Sequence, residues 1–450
     1  MKRAKVVHDN LNAGGGSERL AFATIELLNE INFVVDLATL QKPNLKEAEQ
    51  NFGNDTSYLW KFNQIEILDM YSLLNLEEIR KNKKDKNKSA NEENNKINNK
   101  TNKSRYNDKD YDLIINTHGD LFPYYNVNKE HNNKNYFLQE NEKKENKINM
   151  KSRSPTIKIT YCHYPLVPQL IKRNDYSFLE IFFGSINEFP QKIKDMIALK
   201  AFEKYNQMMK NTFILTNSKF SKQAIEKIYG NDSVETTIIY PPVDVNKFNI
   251  FKNVSNKNIN NSSEKDHNSI LVISRLSPDK KIENAIEIGK RLKGKENIDY
   301  YYMTIVGNID SDNENYLEKL NNLISKYDLK DNIKIKPDVH FGELQKLLEK
   351  SSIYFHPTPN EPFGISIVEA MSAGLIPITP NWGDAEFVPS NYKYQSIEHA
   401  TEIITKIIKN KSENNLSKER KNISDLTDKF SKQKYKEHFR NVIESLLENK

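Results

Sequence analysis

The sequence contains a single cysteine, Cys162, and this scarcity excludes one large class of proteins. One thiol cannot form an intrachain disulfide, so an extracellular framework held by disulfide bridges is ruled out. Long apolar runs are also missing: no stretch approaches the roughly 20 apolar residues that are needed to cross a bilayer. The N-terminal segment MKRAKVVHDN turns polar after a few apolar residues, too early for a signal-peptide core. We therefore expect a cytoplasmic protein that would meet a membrane only at its surface.

A large excess of charge of one sign is absent as well. The 450 residues include 67 Lys and Arg and 61 Asp and Glu, which gives a formal net charge of +6. Because carboxylates dilute the positive charge, the composition does not favour a dedicated nucleic-acid-binding protein. A chain of this length is too long for one ordinary core and suits two domains of about 200 residues each.

Strand-like and helix-like segments alternate along two parts of the chain. In the first part, four short apolar runs predict buried strands of a parallel sheet. These runs are residues 4–9, 33–40, 112–117 and 156–162. A second alternation follows the polar tract 253–269 and predicts a second parallel sheet. The sequence therefore predicts an α/β protein with two doubly wound domains, 1–250 and 268–428, and an amphipathic helix over 429–450 that packs back on the first domain.

Two polar stretches interrupt the first predicted domain. Residues 81–104 are rich in Lys and Asn, and residues 127–155 are similarly polar. Segments with so few apolar side chains cannot bury enough surface to become ordered, so we expect disordered or loosely held insertions. Biased genome composition explains them more readily than a role in binding a partner, and deletion of 81–104 should leave activity intact.

The segment NEPFGISIVEAMSAGLIPI, residues 360–378, carries the most specific pattern. Glu361 and Glu369 have seven residues between them, and Pro362 and Gly364 stand where a helix is expected to begin. The N–H groups and the positive dipole end at a helix N-terminus suit an anionic or hydroxyl-rich ligand. Glu361 would accept hydrogen bonds from sugar hydroxyls, and Glu369 from ribose hydroxyls. The alternative is that both glutamates only decorate a capped helix.

The string EPFGISIVEA, followed by a small residue, a glycine and a Pro-containing strand, resembles the signature of glycosyltransferase family 4. Members of that family are retaining enzymes with the GT-B fold, in which two Rossmann-like domains face a central cleft. The resemblance implies that Glu361 orients the donor sugar and that Glu369 receives the ribose. It also places Phe363, Gly364 and Ile365 in the donor-binding site.

Arg275 and Lys280 lie in VISRLSPDKKIENAIEI, residues 272–288, on a loop between a predicted strand and a predicted helix. Two fixed cations at the mouth of a sheet suit a diphosphate, whose negative charge grows as it leaves. A basic loop on its own is ordinarily solvated surface. This string, however, resembles the arginine and lysine pair with which the family grips the donor diphosphate. We therefore expect catalysis to need these cations and no divalent metal.

Three consecutive glycines, Gly14, Gly15 and Gly16, lie between the first predicted strand and the first predicted helix. They would let a phosphate or a sugar approach the backbone closely. The dinucleotide fingerprint fits only in part, because Arg19 stands where its last glycine belongs, although Asp36 keeps a nicotinamide-binding alternative open. The wording AGGGSER resembles the glycine-rich loop of mannosyltransferases that extend dolichol-linked oligosaccharides on the cytosolic face.

Two further segments carry histidines. His118, in NTHGD after a predicted strand, would project into the cleft, and the family often has a histidine there that contacts the transferred sugar. His163 and Tyr164, in YCHYP, resemble a segment of the same mannosyltransferases and are assigned to the acceptor side, with a structural strand end as an equal alternative.

Asp310 and Asp312 form a DSD triplet of the kind that holds a metal in the other major glycosyltransferase fold, but their polar loop predicts a solvated turn.

The resemblance covers most of both predicted domains and implies retaining transfer of a sugar from a nucleotide diphosphate donor to an acceptor hydroxyl. GDP-mannose is the favoured donor and a lipid-linked glycan the favoured acceptor, and no metal or other cofactor is expected. The predicted catalytic residues are His118, Glu361, Arg275 and Lys280. The alternatives are an epimerase or a phosphorylase acting on nucleotide sugars with the same fold, or a catalytically idle scaffold subunit.

The aromatic segment NDYSFLEIFFGSINEF, residues 174–189, lies in the basic first domain. Aromatic and aliphatic side chains on a basic surface favour insertion at an anionic membrane interface, so we expect peripheral association with the cytoplasmic membrane surface. The alternative is that the segment forms an internal helix or a lid.

Overall fold

The protein is represented by a computed structural model in which most of both predicted domains is described. The described residues are 1–44 except 13, 46, 62–76 except 75, 108–119, 155–183, 189–230, 236–249, 266–310 except 295–297 and 299, 313–409 except 382 and 384, and 413–449. The polar insertion 81–104, nearly all of 127–155, and Asp312 lie outside them.

The first part of the chain forms a parallel sheet of seven strands in the order β3-β2-β1-β4-β5-β6-β7. Its strands are β1 Arg3–Val7, β2 Val34–Thr39, β3 Phe62–Ile67, β4 Leu113–Asn116, β5 Ile157–Cys162, β6 Phe213–Thr216 and β7 Thr236–Ile238. The described helices between them are α1 Gly16–Glu30, α2 Met70–Leu73, α3 Leu166–Lys172, α4 Glu180–Phe183, α5 Gln191–Lys210 and α6 Lys219–Tyr229, and α7 Val245–Phe248 follows. The strand order reverses between β1 and β4, the position where doubly wound sheets bind ligands.

The second part forms a parallel sheet of six strands in the order β10-β9-β8-β11-β12-β13. Its strands are β8 Asp266–Ile273, β9 Tyr302–Gly307, β10 Ile333–Pro337, β11 Ser351–Phe355, β12 Ile376–Pro380 and β13 Lys393–Tyr394. Its helices are α8 Glu283–Gly294, α9 Glu314–Lys326, α10 Phe341–Lys350, α11 Ile365–Ser372, α12 Ile397–Lys409 and α13 Glu413–Asp425. The order reverses between β8 and β11. The predicted α/β architecture with two parallel sheets is confirmed.

Each sheet is parallel because its strands alternate with helices that cover both faces. Central strands such as β4 and β12 are buried along their whole length, which explains their continuous apolar runs. Helix α11 is apolar on nearly all sides and buried from Ile367 to Ser372, because other elements pack around it. The helix that carries Glu369 is therefore held rigidly inside the second domain.

The last helix, α14 Lys432–Glu448, packs against α1 of the first domain. Tyr435, Phe439 and Ile443 enter the apolar core of that domain, and Tyr435 Oη lies 2.7 Å from Thr24 Oγ1. Lys436 Nζ donates to Glu26 Oε1 at 2.9 Å. Apolar burial and ion pairing therefore both hold α14 on the first domain.

The aromatic segment that predicts membrane contact has three of its apolar side chains inside the protein. Phe178, Leu179 and Phe183 are buried in the core beside α5, and residues 184–188 lie outside the described part. These three side chains are not available for insertion into a bilayer, which favours the internal alternative for this segment. Among the described residues, no helix has both the length and the apolar character needed to cross a membrane.

Candidate active site

The glycine loop of the first domain lies directly against the glutamate motif of the second. A Cβ atom added to Gly16 would come within 2.3 Å of Ile365 Cδ1, on the first turn of α11. The nearest atom is the end of a flexible side chain, so a larger residue at position 16 would make the Ile365 side chain shift, and glycine allows the close approach seen here. Gly14 and Gly15 are exposed beside this contact, and Gly15 caps the N-terminus of α1.

Glu361 forms the centre of a charged cluster at the end of β11. Lys280 Nζ donates to Glu361 Oε2 at 3.1 Å, and the two side chains are 23% and 25% exposed. Burial would raise the pKa of the Glu361 carboxyl, but Lys280 and His356 together hold the pKa below its usual value. The cluster therefore presents an ionised carboxylate and a fixed cation side by side in a partly open position.

His356 is part of this cluster and was not predicted as a site residue. Its Nε2 lies 3.9 Å from Glu361 Oε2, and its Nδ1 is 3.1 Å from the hydroxyl of Tyr354. Burial lowers the pKa of His356 to about 4, so the imidazole is neutral near pH 7. The buried Nε2 has no hydrogen-bond partner within the described residues. The signal in the sequence that could have identified His356 is its position as a polar residue directly after the apolar run SIYF.

The backbone around the glutamate motif depends on glycine. Gly364, which caps α11, has a φ of 81°, in the left-handed region that favours glycine. Phe363 is buried next to it and contacts an aromatic group that includes Tyr240 of the first domain. Gly383 also has a positive φ, and a Cβ there would lie 2.9 Å from the carbonyl oxygen of Glu361. These positions fix the start of α11 and the direction of Glu361.

The structure separates the two predicted cations. Lys280 contacts Glu361, whereas the Arg275 side chain is 54% exposed and its Nη2 lies 3.7 Å from Asp279 Oδ2. Ion pairs at that exposure contribute little to stability because water screens them. Arg275 can therefore change its partner at small cost, but in this conformation it does not join Lys280 at Glu361.

Glu369 is paired with an arginine of the opposite domain. Arg19 Nη1 donates to Glu369 Oε1 at 2.5 Å, and the side chains are 18% and 5% exposed. Burial would lower the pKa of Arg19, but the carboxylates of Glu369 and Asp244 raise it above its usual value. In the sequence, Arg19 stands out only as a departure from the dinucleotide fingerprint. A contact between positions so distant in sequence left no local signal.

Histidines and carboxylates form a second cluster at the carboxyl ends of β1 and β4. His118 Nδ1 is hydrogen-bonded to Asp9 Oδ1, and His8 Nε2 lies 3.4 Å from Glu18 Oε1. The rings of His8 and His118 are stacked with centroids 5.0 Å apart. Of these residues only His118 was predicted from the sequence.

Both carboxylates of this cluster are ionised. Burial would raise the pKa of Asp9, but His118 and His8 hold the pKa well below its usual range. The same opposition acts on Glu18, whose pKa is lowered chiefly by its hydrogen bond to His8. An ionised carboxylate only accepts hydrogen bonds, so Nδ1 of His118 carries a proton.

His8, Asp9 and His118 are also the described residues whose donor atoms could hold a metal ion, since one such atom from each lies within 4.8 Å of the others. Two imidazoles and one carboxylate suit several divalent metals. In this conformation the hydrogen bond between Asp9 and His118 occupies two of those three donors. Metal independence stays a prediction to be tested.

The structure places His163 close to His118 and directs Tyr164 elsewhere. The rings of His163 and His118 are 6.0 Å apart, and His163 Nε2 lies 3.1 Å from the carbonyl oxygen of Thr117. Tyr164 stacks on Phe220 with ring centroids 5.5 Å apart. The YCHYP segment thus adds one imidazole to the cluster on the first domain and one aromatic contact beside it.

The chain is similar to known proteins in both sequence and fold. Residues 254–427 match the model of the family described as glycosyl transferases group 1. The GDP-Man:Man(3)GlcNAc(2)-PP-Dol alpha-1,2-mannosyltransferase of Dictyostelium discoideum is 25% identical over 305 residues, which are 64% of this chain and 59% of that protein. The Homo sapiens protein of the same name is 24% identical over 306 residues, 64% of this chain and 60% of that protein. The chain thus spans about three fifths of the length of these curated relatives.

The crystal structure of Anabaena HepE in complex with UDP is similar over 99% of this chain and 100% of that one, with a TM-score of 0.60 and 14% identity. A likeness at this identity concerns the fold alone. The two parallel sheets and their order around the cleft are those of the GT-B fold, so the predicted fold is confirmed.

Proposed function

We propose that this chain, whose residues 254–427 match the model of glycosyl transferases group 1, is a retaining glycosyltransferase that moves a sugar from a nucleotide diphosphate to an acceptor hydroxyl. One observation carries the proposal: the Glu361 and Lys280 pair and Glu369 lie on the same side of a cleft whose other side is the glycine loop. A nucleotide sugar needs a cation for its phosphates and carboxylates for its hydroxyls, and this arrangement supplies both.

On the second domain, Lys280 is the cation that meets the departing diphosphate. Negative charge grows on the leaving group as the glycosidic bond breaks, and a charge already in place stabilises it without reorganisation. Glu361 keeps Lys280 in position and accepts hydrogen bonds from the sugar. His356, neutral and with its Nε2 directed towards Glu361, offers a further hydrogen bond to a sugar hydroxyl. Arg275 joins by turning from Asp279 to the phosphates.

On the first domain, His118 contacts the transferred sugar and the glycine loop lets the donor approach the backbone. Asp9 holds the His118 ring in one orientation through Nδ1, and we infer that the ring meets the transferred sugar in this orientation. His163, next to His118, lies on the acceptor side. In a retaining transfer of this kind the leaving phosphate helps to take the proton of the acceptor hydroxyl.

The donor and acceptor are inferred from the relatives. The names of the Dictyostelium discoideum and Homo sapiens proteins specify GDP-mannose as donor and a dolichol-linked glycan as acceptor, and we infer the same classes for this chain. A structural relative is described in complex with UDP, so uridine donors belong in the test. A lipid-linked acceptor would also bring the protein to the cytoplasmic surface of a membrane, which flotation with acceptor-containing anionic vesicles would detect.

The experiment is a donor screen on the purified full chain. GDP-mannose, UDP-glucose and UDP-N-acetylglucosamine are each incubated with and without a lipid-linked mannosyl chitobiose acceptor, and the products are identified by mass spectrometry and by NMR of the new anomeric centre. We expect mannose on the acceptor, in the α configuration of the donor. Epimerised or phosphorolysed donor without acceptor would favour the other enzyme classes, and binding of no nucleotide at all would favour the idle scaffold.

A further inference from the structure

Arg19 and Glu369 connect the two sides of the cleft through a charged hydrogen bond. Arg19 lies on the first turn of α1, three residues after Gly16, and Glu369 lies in the second turn of α11. Arg19 Nη1 and Glu369 Oε1 are 2.5 Å apart. Gly16 lies close to the side chain of Ile365, so the same two helices also approach each other there. The glycine loop and the helix of the glutamate motif therefore meet at two adjoining points.

The pair leaves half of the Glu369 carboxylate for another partner. Arg19 binds Oε1, and Oε2 accepts no hydrogen bond from the described residues while keeping some contact with solvent. An ionised carboxylate can accept several hydrogen bonds, two or so at each oxygen. A side chain that is almost wholly buried but has one oxygen at the cleft is suited to bind a hydroxyl that enters from there.

The guanidinium determines where that oxygen points. Arg19 is planar and permanently charged, so it fixes an accepting carboxylate more narrowly than a lysine would. Removing one partner of a buried ion pair leaves the other without compensation, and the remaining carboxylate would then turn towards water. Arg19 comes from the other domain, so Glu369 keeps this orientation only while the domains stay together.

We propose that Arg19 is the positioning residue that aims Glu369 at the ribose of the nucleotide, and that it thereby couples donor binding to closure of the cleft. The inference rests on the proposed function, because it assumes a nucleotide donor whose ribose meets Glu369. Arg19 holds Oε1, a ribose hydroxyl donates to Oε2, and each contact keeps the carboxylate in place for the other.

Two other roles for Arg19 predict different results. If Arg19 only holds the domains together, its loss weakens the binding of all nucleotides to the same degree, whether or not they carry ribose hydroxyls. If Arg19 occupies the place of the ribose and must leave before the donor binds, its loss tightens binding. A positioning role alone predicts a loss that depends on the ribose hydroxyls.

The test compares a nucleoside diphosphate with its 2′,3′-dideoxy form by isothermal titration calorimetry on the full chain. The diphosphate is GDP or UDP, whichever the wild-type protein binds. We expect the wild-type protein to prefer the ribose form by about 10- to 100-fold, as for hydrogen bonds to a charged group. Arg19→Gln and Glu369→Gln should each reduce this ratio of the two affinities to below about threefold, mainly by weakening the binding of the ribose form. The double variant should lose no more than either single one, because the two residues act as a unit.

Controls separate this role from a general effect on the interface or on folding. Tyr240→Phe removes another contact between the domains, in which the hydroxyl donates to Glu386 Oε1 at 2.8 Å, and should leave the ratio unchanged. Arg19→Lys keeps the charge and should retain part of the preference for the ribose form. This variant also tests the inference if Arg19→Gln does not fold. Circular dichroism confirms that each variant is folded.

Each outcome decides the inference. An unchanged ratio in Arg19→Gln, or tighter binding of the ribose form, overturns the positioning role while leaving the proposed function intact. If the wild-type protein binds neither GDP nor UDP, the proposed function fails and the inference falls with it.

Discussion

His356 of the second domain and His118 of the first lie in corresponding places, each just after a central strand and beside a carboxylate. Their surroundings differ. Burial lowers the pKa of His356 to about 4, although Glu361 opposes this shift, and its Nε2 has no partner within the described part of the chain. His118 is bonded to Asp9, whose pKa it lowers.

The difference shows how one fold uses imidazoles in two ways. On the second domain a lysine supplies the positive charge, so the histidine can remain neutral and act as a hydrogen-bonding group. On the first domain ionised carboxylates hold the histidine rings, and the cluster is built around protonated ring nitrogens.

Removing the cation of the second domain should have the largest effect. We expect Lys280→Ala to lower kcat by roughly 30- to 1000-fold, because it removes about 2–4 kcal/mol of stabilisation from the departing diphosphate. Arg275→Ala should also lower kcat, but less, since Arg275 is exposed and pairs with Asp279. Steady-state kinetics with the donor found in the screen would measure both. A change of less than about threefold in both variants would mean that the two residues are ordinary surface charges.

The neutral histidine should make the protein sensitive to mild acid. The pKa of His356 is about 4 in the folded chain, against about 6.5 for a histidine exposed to water, so the unfolded chain takes up a proton first as pH falls. Stability is therefore full above about pH 6.5 and is lost between pH 6.5 and 4, by about 2–3 kcal/mol at pH 4.5. Urea unfolding at pH 7.5 and 4.5 should show a smaller loss for His356→Asn than for the wild-type protein. Equal losses would contradict the burial effect.

Releasing the histidine of the first domain should lower activity moderately. In Asp9→Asn the amide accepts a weaker hydrogen bond from His118 Nδ1, and we expect kcat to fall by about 10- to 50-fold, as for loss of a charge-assisted bond. The pH profile of kcat should shift as well, because Asp9 no longer stabilises a protonated ring. Asp328→Asn changes a matched control carboxylate, which is 94% exposed on the other domain and pairs with Lys293 away from the site. A variant with normal kcat and a normal pH profile would show that Asp9 does not orient His118.

Chelation should have the smallest effect. If Lys280 and Arg275 carry the charge of the diphosphate, excess EDTA should change activity by less than about twofold. Loss of activity with recovery on adding Mn²⁺ or Mg²⁺ would contradict this and would direct attention to His8, Asp9 and His118. Repeating the chelation with His8→Asn would then identify the site.

Local features of the fold were predictable from the sequence. Apolar runs predicted the central strands, and Gly364 predicted the start of α11, because periodicity and backbone freedom are properties of neighbouring residues. The separation of Arg275 from Lys280 was not predictable, since it depends on which partner each side chain meets. The pair of Arg19 and Glu369 was likewise hidden, because it exists only after two domains have packed together. His356 was overlooked because its burial depends on strands that are distant in sequence.

In the described part, the chain crosses from one domain to the other at two places, and the two crossings lie side by side. One follows β7 and the other precedes α14, where the N–H of Val243 donates to the carbonyl oxygen of Phe430 at 2.9 Å and Val243 bridges to Ser431. A single connecting segment would let one domain rotate about many axes. Two adjoining connections restrict rotation to the axis that passes through both of them. We therefore expect the two domains to move apart mainly about the axis of these two crossings, so that each closure brings Arg19 back to the same carboxylate.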